Sequence, residues 1–363
     1  MSKQPNRNLG PLESLRGVAA LMIVVFHLVE LMKIPAPPGT EFISSHFGLG
    51  VPLFFTLSGF VLSYGYSERL GSSREIYYFY AKRFFRIAPL YYLMLLLWCV
   101  TNAWSFDNYF STETILLNLS FLFSLVPGSH EGIVWASWSI GVEMLFYLLF
   151  PVLTLLFFNS RLALLGWLLS LIVSANIYST MEAAGLSSYA YMNIGQQLPF
   201  FLAGMAAFRI WQARSFFERR SISLLLVSFA LASALFLLAN EGAYIALWKL
   251  QFGRIEHNVW SIIFAALIVG ASCGTAQMPS FRPLRNLGKV SFSLYLIHPL
   301  IFLGLMKLGF PELVKALPLG PWPTFGLAFG GALAIVWAAS NLSYRLIEQP
   351  GQRLGKRIVG NAK

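Results

Sequence analysis

Three ionisable side chains lie where a bilayer should exclude them, and their types suit proton transfer. His27 falls inside the apolar run 16–34, Glu143 near the start of 138–158, and His298 within 291–309. An ionisable group near the bilayer centre costs on the order of 3 kcal/mol, so each is a candidate for function. His27 follows Arg16 by eleven residues. At 100° per residue the two share nearly one helix face, separated by about 16 Å along the axis. A permanently charged guanidinium suits phosphate, and an imidazole exchanges protons near neutral pH. The pair therefore matches a long ligand with an anionic head and a reactive end buried in the membrane. An interfacial anchor beside a histidine bonded to a neighbouring helix is the alternative.

Other segments carry chemistry less sharply. Arg83 and Arg86, in the stretch Lys82-Arg83-Phe84-Phe85-Arg86-Ile87-Ala88-Pro89, are positioned to grip phosphate or simply to hold a loop on the cytoplasmic side. Glu143, in Trp138-Ser139-Ile140-Gly141-Val142-Glu143, lies about 9 Å below the outer surface. It suits binding an acceptor hydroxyl, orienting His27 or holding a proton, with an interhelical hydrogen bond as the rival. Tyr295 and His298 are three apart and share a face. They suit a second ligand-binding group or a polar contact beside Pro299. Ser58 and Gly59 permit close helix approach, and a glycine there also thins the wall of any tunnel.

These residues need elements to hold them, and composition decides which. Apolar residues make up 57% of the 363 and charged residues only 11%. A soluble domain carries roughly 25% charged residues, so the chain lacks the surface to face water all round. Ten runs approach the ~20 apolar residues of a span: 16–34, 47–66, 86–104, 138–158, 161–180, 194–211, 221–239, 258–275, 291–309 and 324–344. The run 113–127 is short and reads as a re-entrant or interfacial segment. The expected fold is thus an all-α integral membrane protein of about ten helices, one domain over 1–363, with a short tail at 345–363.

Charge orients it. With 26 Lys and Arg against 15 Asp and Glu, the net charge is +11. Ten crossings with both termini cytoplasmic put 21 basic residues inside and 5 outside, as the positive-inside rule requires. The basic excess is thereby assigned to topology, and no nucleic-acid partner is expected. The first run exceeds a signal core, and Pro35, Pro37 and Pro38 crowd the candidate cleavage site, so it reads as a retained span. Cys99 and Cys273 sit in apolar stretches and suggest packing, neither disulfides nor metal ligation.

In order along the chain, Leu12-Glu13-Ser14-Leu15-Arg16-Gly17, the Arg16/His27 pair, the glycine-rich entry to the second span, Arg83/Arg86/Pro89, Trp138 to Tyr147, Tyr295/His298 and Tyr344-Arg345-Leu346-Ile347-Glu348-Gln349-Pro350 resemble the membrane-bound acyltransferase-3 family. One departure is Glu13-Ser14 where the family often has Asp-Gly. The resemblance implies transfer of an acyl group, commonly acetyl, from cytoplasmic acyl-CoA, with no metal. The implied acceptor is a hydroxyl on an extracytoplasmic or lipid-linked saccharide, and the implied location is the bacterial inner membrane, in contact with membrane lipid. Some relatives carry an added extracytoplasmic hydrolase-like domain; here activity is expected within the bundle. In the implied mechanism the phosphates of coenzyme A rest on Arg16, Arg83 and Arg86, with Tyr295 and His298 as further donor contacts. His27 acts as general base or accepts the acyl group itself, and Glu143 serves the acceptor side. A transporter using His27 and Glu143 as proton-relay groups, or a non-catalytic helper in glycan assembly, is the competing expectation. The arginine clusters separate the two classes, because a pure transporter needs no nucleotide-phosphate site.

Overall fold

The computed structural model describes residues 10–213, 220–248, 254–273 and 281–360. Of the charges used to orient the chain, Lys3, Arg7, Arg214, Arg219, Lys249 and Lys363 lie outside the described residues, as does the end of the expected span 258–275. The chain runs as α1 (Gly10–Glu30), α2 (Phe42–His46), α3 (Gly50–Tyr66), α4 (Ser73–Phe106), α5 (Thr112–Leu119) and α6 (Trp138–Leu156). It continues as α7 (Ser160–Ala183), α8 (Ser187–Met192), α9 (Ile194–Gln212), α10 (Arg220–Ala239), α11 (Glu241–Trp248) and α12 (Ile255–Ser272). The last elements are α13 (Arg282–Lys289), α14 (Ser291–Lys307), α15 (Phe310–Lys315), α16 (Pro321–Ser343), a π-helical turn Tyr344–Glu348 and α17 (Gln349–Gly360). No strand occurs among the described residues.

The bundle is apolar outside and partly polar inside, the inverse of a soluble protein. Leu96 on α4, Leu155 on α6, Leu168 on α7 and Leu225 on α10 are exposed. Ser174, Gln196, Gln197, Asn258 and His298 are buried. With hydrocarbon as solvent, polar groups must find partners within the protein. Among the described residues, eight helices are long and apolar enough to cross a bilayer, or nine if the pair α13 and α14, bent by 76°, is counted as one span. The chain is an integral membrane protein. The tenth expected span, 194–211, is α9, a 19-residue helix left out of that count. Gln196, Gln197 and Arg209 lower its hydropathy. They are tolerated because most of α9 is buried among other helices rather than facing lipid.

Small residues set the closest approaches. A Cβ on Gly59 of α3 would strike the carbonyl of Phe201 on α9, and one on Gly204 would strike that of Thr56. These two backbones touch, as the small pair Ser58-Gly59 predicts. Gly17 of α1 meets Leu284 of α13 in the same way, seating the N-terminal end of α1, with Arg16, against the bend that opens α14.

Two boundaries differ from expectation. α4 begins at Ser73, well before position 86, because Ser72 and Glu75 form a reciprocal capping box. Its 34 residues span about 51 Å, longer than a hydrocarbon core of about 30 Å, so the basic stretch is helical. The described part of the tail, 345–360, is also helical: α16 passes through the π turn into α17, whose Gly351 and Gly355 lie against Pro89 and Phe85 of α4. The segment 113–127 holds the eight-residue α5 and a 3-10 turn, too short to cross. It is tied inward by Asn118, which accepts from Tyr91 Oη at 2.9 Å and from the Ile133 amide at 3.0 Å.

Candidate active site

α1 and α14 together position the two histidines. His27 Nδ1 lies 2.7 Å from His298 Nε2, with the rings stacked at 4.9 Å between centroids and 26° between planes. His298 Nδ1 lies 3.1 Å from the Leu294 carbonyl, which only accepts, so this nitrogen carries a proton. His298 is fully buried, and charging it in hydrocarbon without a carboxylate partner is costly. The neutral ring therefore presents an unprotonated Nε2, which accepts from His27 Nδ1–H. That assignment leaves His27 Nε2 with a free lone pair.

His27 is partly accessible, because it lines a cavity of about 570 Å3 with Asn102, Glu131, Trp135, Tyr191 and Tyr295. His298 lines no part of it. Its role in the geometry is to fix the tautomer and orientation of His27.

A second, tighter chamber of about 50 Å3 is lined by Arg16, Arg86, Glu143, Tyr147 and Ser291 among others. Arg16 Nη2 donates to Ser291 Oγ at 3.0 Å, and its guanidinium stands 5.9 Å from the centre of the Phe54 ring. Glu143 Oε1 accepts from Ser58 Oγ at 2.8 Å and from Tyr147 Oη at 2.5 Å. Glu348, buried beneath, accepts from Ser293 Oγ and from Gln352 Nε2, each at 3.0 Å. Both Arg16 and Arg86 interact electrostatically with Glu143 and Glu348. Two cations thus face two carboxylates within the membrane, which is the arrangement that makes such charges tolerable.

Val51 and Tyr295 line both spaces and partition them. Tyr295 Oη donates to the Ala136 carbonyl at 2.6 Å and lies 2.7 Å from Ser139 Oγ. Since its proton goes to the carbonyl, Ser139 is the donor to Tyr295.

Of the residues named from sequence, the structure brings His27 and His298 together, and separately Arg16, Arg86 and Glu143. Glu143 stands with the arginines, whereas the expectation put it on the acceptor side with His27. Its helix enters beside α3, and Ser58 draws the carboxylate away from the larger cavity. Arg83 lines neither space. Its guanidinium lies 5.2 Å from the Tyr66 ring and 5.7 Å from the Tyr147 ring, with Nη2 donating to Tyr66 Oη at 3.3 Å. It lies about one turn before Arg86 on the same side of α4, and both arginines act electrostatically on Tyr147, but Arg83 is taken up by an aromatic cage. Glu348 belongs to the closing stretch that carries the family resemblance but is given no site role from the sequence, since it falls beyond the last expected span. An acid inside an otherwise basic terminal segment was the available signal.

Comparison with known proteins gives the family. A family model described as an acyltransferase domain, that of the acyltransferase-3 family, matches residues 11–341. The chain belongs to the acyltransferase-3 family. A protein of Acidianus two-tailed virus named as an acetyltransferase is 28% identical over 81% of this chain and 84% of its own length. The membrane-bound transacylase BcsY of Komagataeibacter xylinus, so named, is 25% identical over 96% of this chain and 84% of its own. The O-acetyltransferase OatA of Staphylococcus aureus is 26% identical over 80% of this chain, which spans only 50% of OatA. No solved structure matches the chain. As a member of this acyltransferase-3 family, the chain is a membrane O-acyltransferase, and its reaction needs an acyl donor and a hydroxyl acceptor.

Proposed function

We propose that the chain moves an acyl group, acetyl in the first instance, from cytoplasmic acyl-CoA to a hydroxyl of an extracytoplasmic or lipid-linked saccharide. The observation that carries this reading is the His27 imidazole, its free Nε2 in a cavity and its Nδ1 bonded to a neutral His298. An acceptor hydroxyl in that cavity gives its proton to Nε2 as its oxygen attacks the thioester carbonyl. The C–S bond breaks, and the coenzyme A sulfur leaves with the proton that His27 returns. In this scheme His298 Nε2 accepts from the transient imidazolium and spreads its charge. The same lone pair also suits direct attack on the thioester, with the acyl group then passed from His27 to the hydroxyl.

Arg16 and Arg86 serve the donor side, where fixed guanidinium forks suit phosphate. The chamber around them has room for one or two water molecules at about 30 Å3 each, so donor entry requires it to widen. Glu143 and Glu348 hold the two cations until the donor's anionic groups arrive. Arg83 supports Tyr147 and hence Glu143 rather than touching the donor. In the plasma membrane, with both termini cytoplasmic, Arg16 faces the donor's compartment and the His27 cavity opens outward through Asn108 and Glu131.

The test is purified protein in sealed proteoliposomes, supplied with acetyl-CoA and extracts of envelope glycans. Release of free coenzyme A that depends on glycan, with a single acetyl mass gained by that glycan, is the expected result. Transport of the glycan without any mass change would replace the reading with a transporter.

A further inference from the structure

The walls of the His27 cavity differ from those of the arginine chamber, and the difference bears on what the acceptor is. This step rests on the acyl-transfer reading above. We propose that the His27 cavity receives an uncharged or amine-bearing glycan, stacked on Trp135 and hydrogen-bonded near Glu131, and that it rejects acidic acceptors.

Trp135 supplies a platform. It is 42% exposed, yet one face of its ring stacks on the buried Trp98 at 5.2 Å between centroids. A rigid indole with a free face suits the C–H face of a sugar ring, as amphipathic aromatic rings do at wet apolar sites. Asn102 and Asn108 border the same space and supply amide donors and acceptors. The volume of about 570 Å3 suits an oligosaccharide end rather than a single small alcohol.

Charge supplies the selectivity. Among the described residues lining the cavity, Glu131 is the one carboxylate, and no Lys or Arg lines it. Arg16 and Arg86 stand beyond Tyr295 in the other chamber. Glu131 is also held in place. The Gly128 amide donates to His130 Nδ1 at 3.2 Å, so the His130 proton sits on Nε2, 3.1 Å from Ser188 Oγ. Ser188 Oγ in turn donates to Glu131 Oε1 at 3.1 Å. Burial holds the His130 ring below its ordinary pKa of 6.5, so it is neutral and free to accept from Gly128. The trio resembles a nucleophile relay, but its hydrogen bonds run the wrong way. His130 donates to Ser188 and has no lone pair to activate it. The relay orients a carboxylate at the cavity rim, where an ammonium or hydroxyl is welcome and a second carboxylate is repelled.

Three disaccharide probes test this with the full chain in nanodiscs and acetyl-CoA as donor: diacetylchitobiose (neutral), chitobiose (amine-bearing) and digalacturonate (acidic). The acidic probe should be acetylated with a kcat/KM at least about tenfold lower than either of the others. Trp135→Ala should raise the KM of the neutral probe roughly tenfold, with Trp135→Phe recovering most of it. Glu131→Gln should narrow the gap between the acidic probe and the other two, and Glu131→Lys should turn preference towards the acidic one. Acetyl-CoA affinity, measured on each variant, identifies any that fail to fold. Calorimetric binding of the same probes separates the two levels of inference. The expected binding order without acetyl transfer would overturn the acyl-transfer reading while the cavity assignment stands. Equal or tighter binding of the acidic probe, no binding of any probe, or no response to Trp135 and Glu131 substitution would overturn the cavity assignment.

Discussion

The tautomer of His27 is set by a carbonyl two residues of chemistry away, through His298. Substituting His298 should therefore act through His27 without touching a substrate. His298→Ala frees His27 Nδ1 to lose its proton partner, and kcat should fall about tenfold or more, the scale of a lost hydrogen bond to a group that becomes charged. His298→Gln offers an amide oxygen to the same N–H and should recover part of that loss; equal kcat in both variants would remove the positioning role. On the donor side, Arg16→Ala should weaken acetyl-CoA binding about tenfold or more, because hydrogen bonds to charged groups contribute about 1.5–3 kcal/mol. Equilibrium binding of acetyl-CoA checks it, and unchanged affinity would detach Arg16 from the donor. Glu143→Gln keeps the contacts from Ser58 and Tyr147 while removing the charge that faces Arg16 and Arg86. It should alter donor binding more than acceptor KM.

Among elements, α17 is the least expected. Its first residues read as a cytoplasmic tail, yet Gly351 would place a Cβ 2.8 Å from Pro89 Cγ and 2.9 Å from the Phe85 carbonyl. This packing holds the π turn, and with it Glu348, against the arginines. Gly351→Leu should destabilise the docked helix by about 1–3 kcal/mol, the cost of overpacking, seen as a lowered unfolding midpoint in detergent. Much of the element plan is legible in the sequence, because a span announces itself by length and hydropathy. The apolar runs at 16–34, 47–66 and 138–158 became α1, α3 and α6 for that reason. The pairing of helices is less legible. That Ser58 reaches Glu143 across 85 positions of sequence depends on which helices touch, and periodicity carries no such information. The Arg83 side chain shows the same limit: its charge is visible, but its aromatic cage draws on Tyr66 of α3, Phe79 of α4 and Tyr147 of α6.

For the whole molecule, the proposed donor and acceptor cavities meet at Val51 and Tyr295, so the proposed transfer requires the thioester end of the donor to pass this partition and reach His27. The orientation proposed from the basic residues is tested by single cysteines in a background with Cys99 and Cys273 replaced by alanine. Lys356→Cys on α17 should react with a membrane-impermeant maleimide only from the cytoplasmic side, and Asn108→Cys only from the outside; the reverse pattern would invert the topology. What composition and charge could not supply is the division of labour between the chambers. His27 and Arg16 share α1, and their spacing predicts one site for one ligand. In the folded protein Tyr295, held by Ala136 and Ser139, stands between their cavities. Glu143 and Glu348 fill the arginine side with compensating charge, which no single helix displays.

The decisive quantity is turnover by His27→Ala, measured with saturating acetyl-CoA and a competent glycan, alongside its affinity for acetyl-CoA. A kcat lower by about a hundredfold or more, the usual scale of general base catalysis, with donor affinity retained, is the expected result. Turnover within a few-fold of the parent protein would mean that the imidazole facing the cavity takes no part in the chemistry.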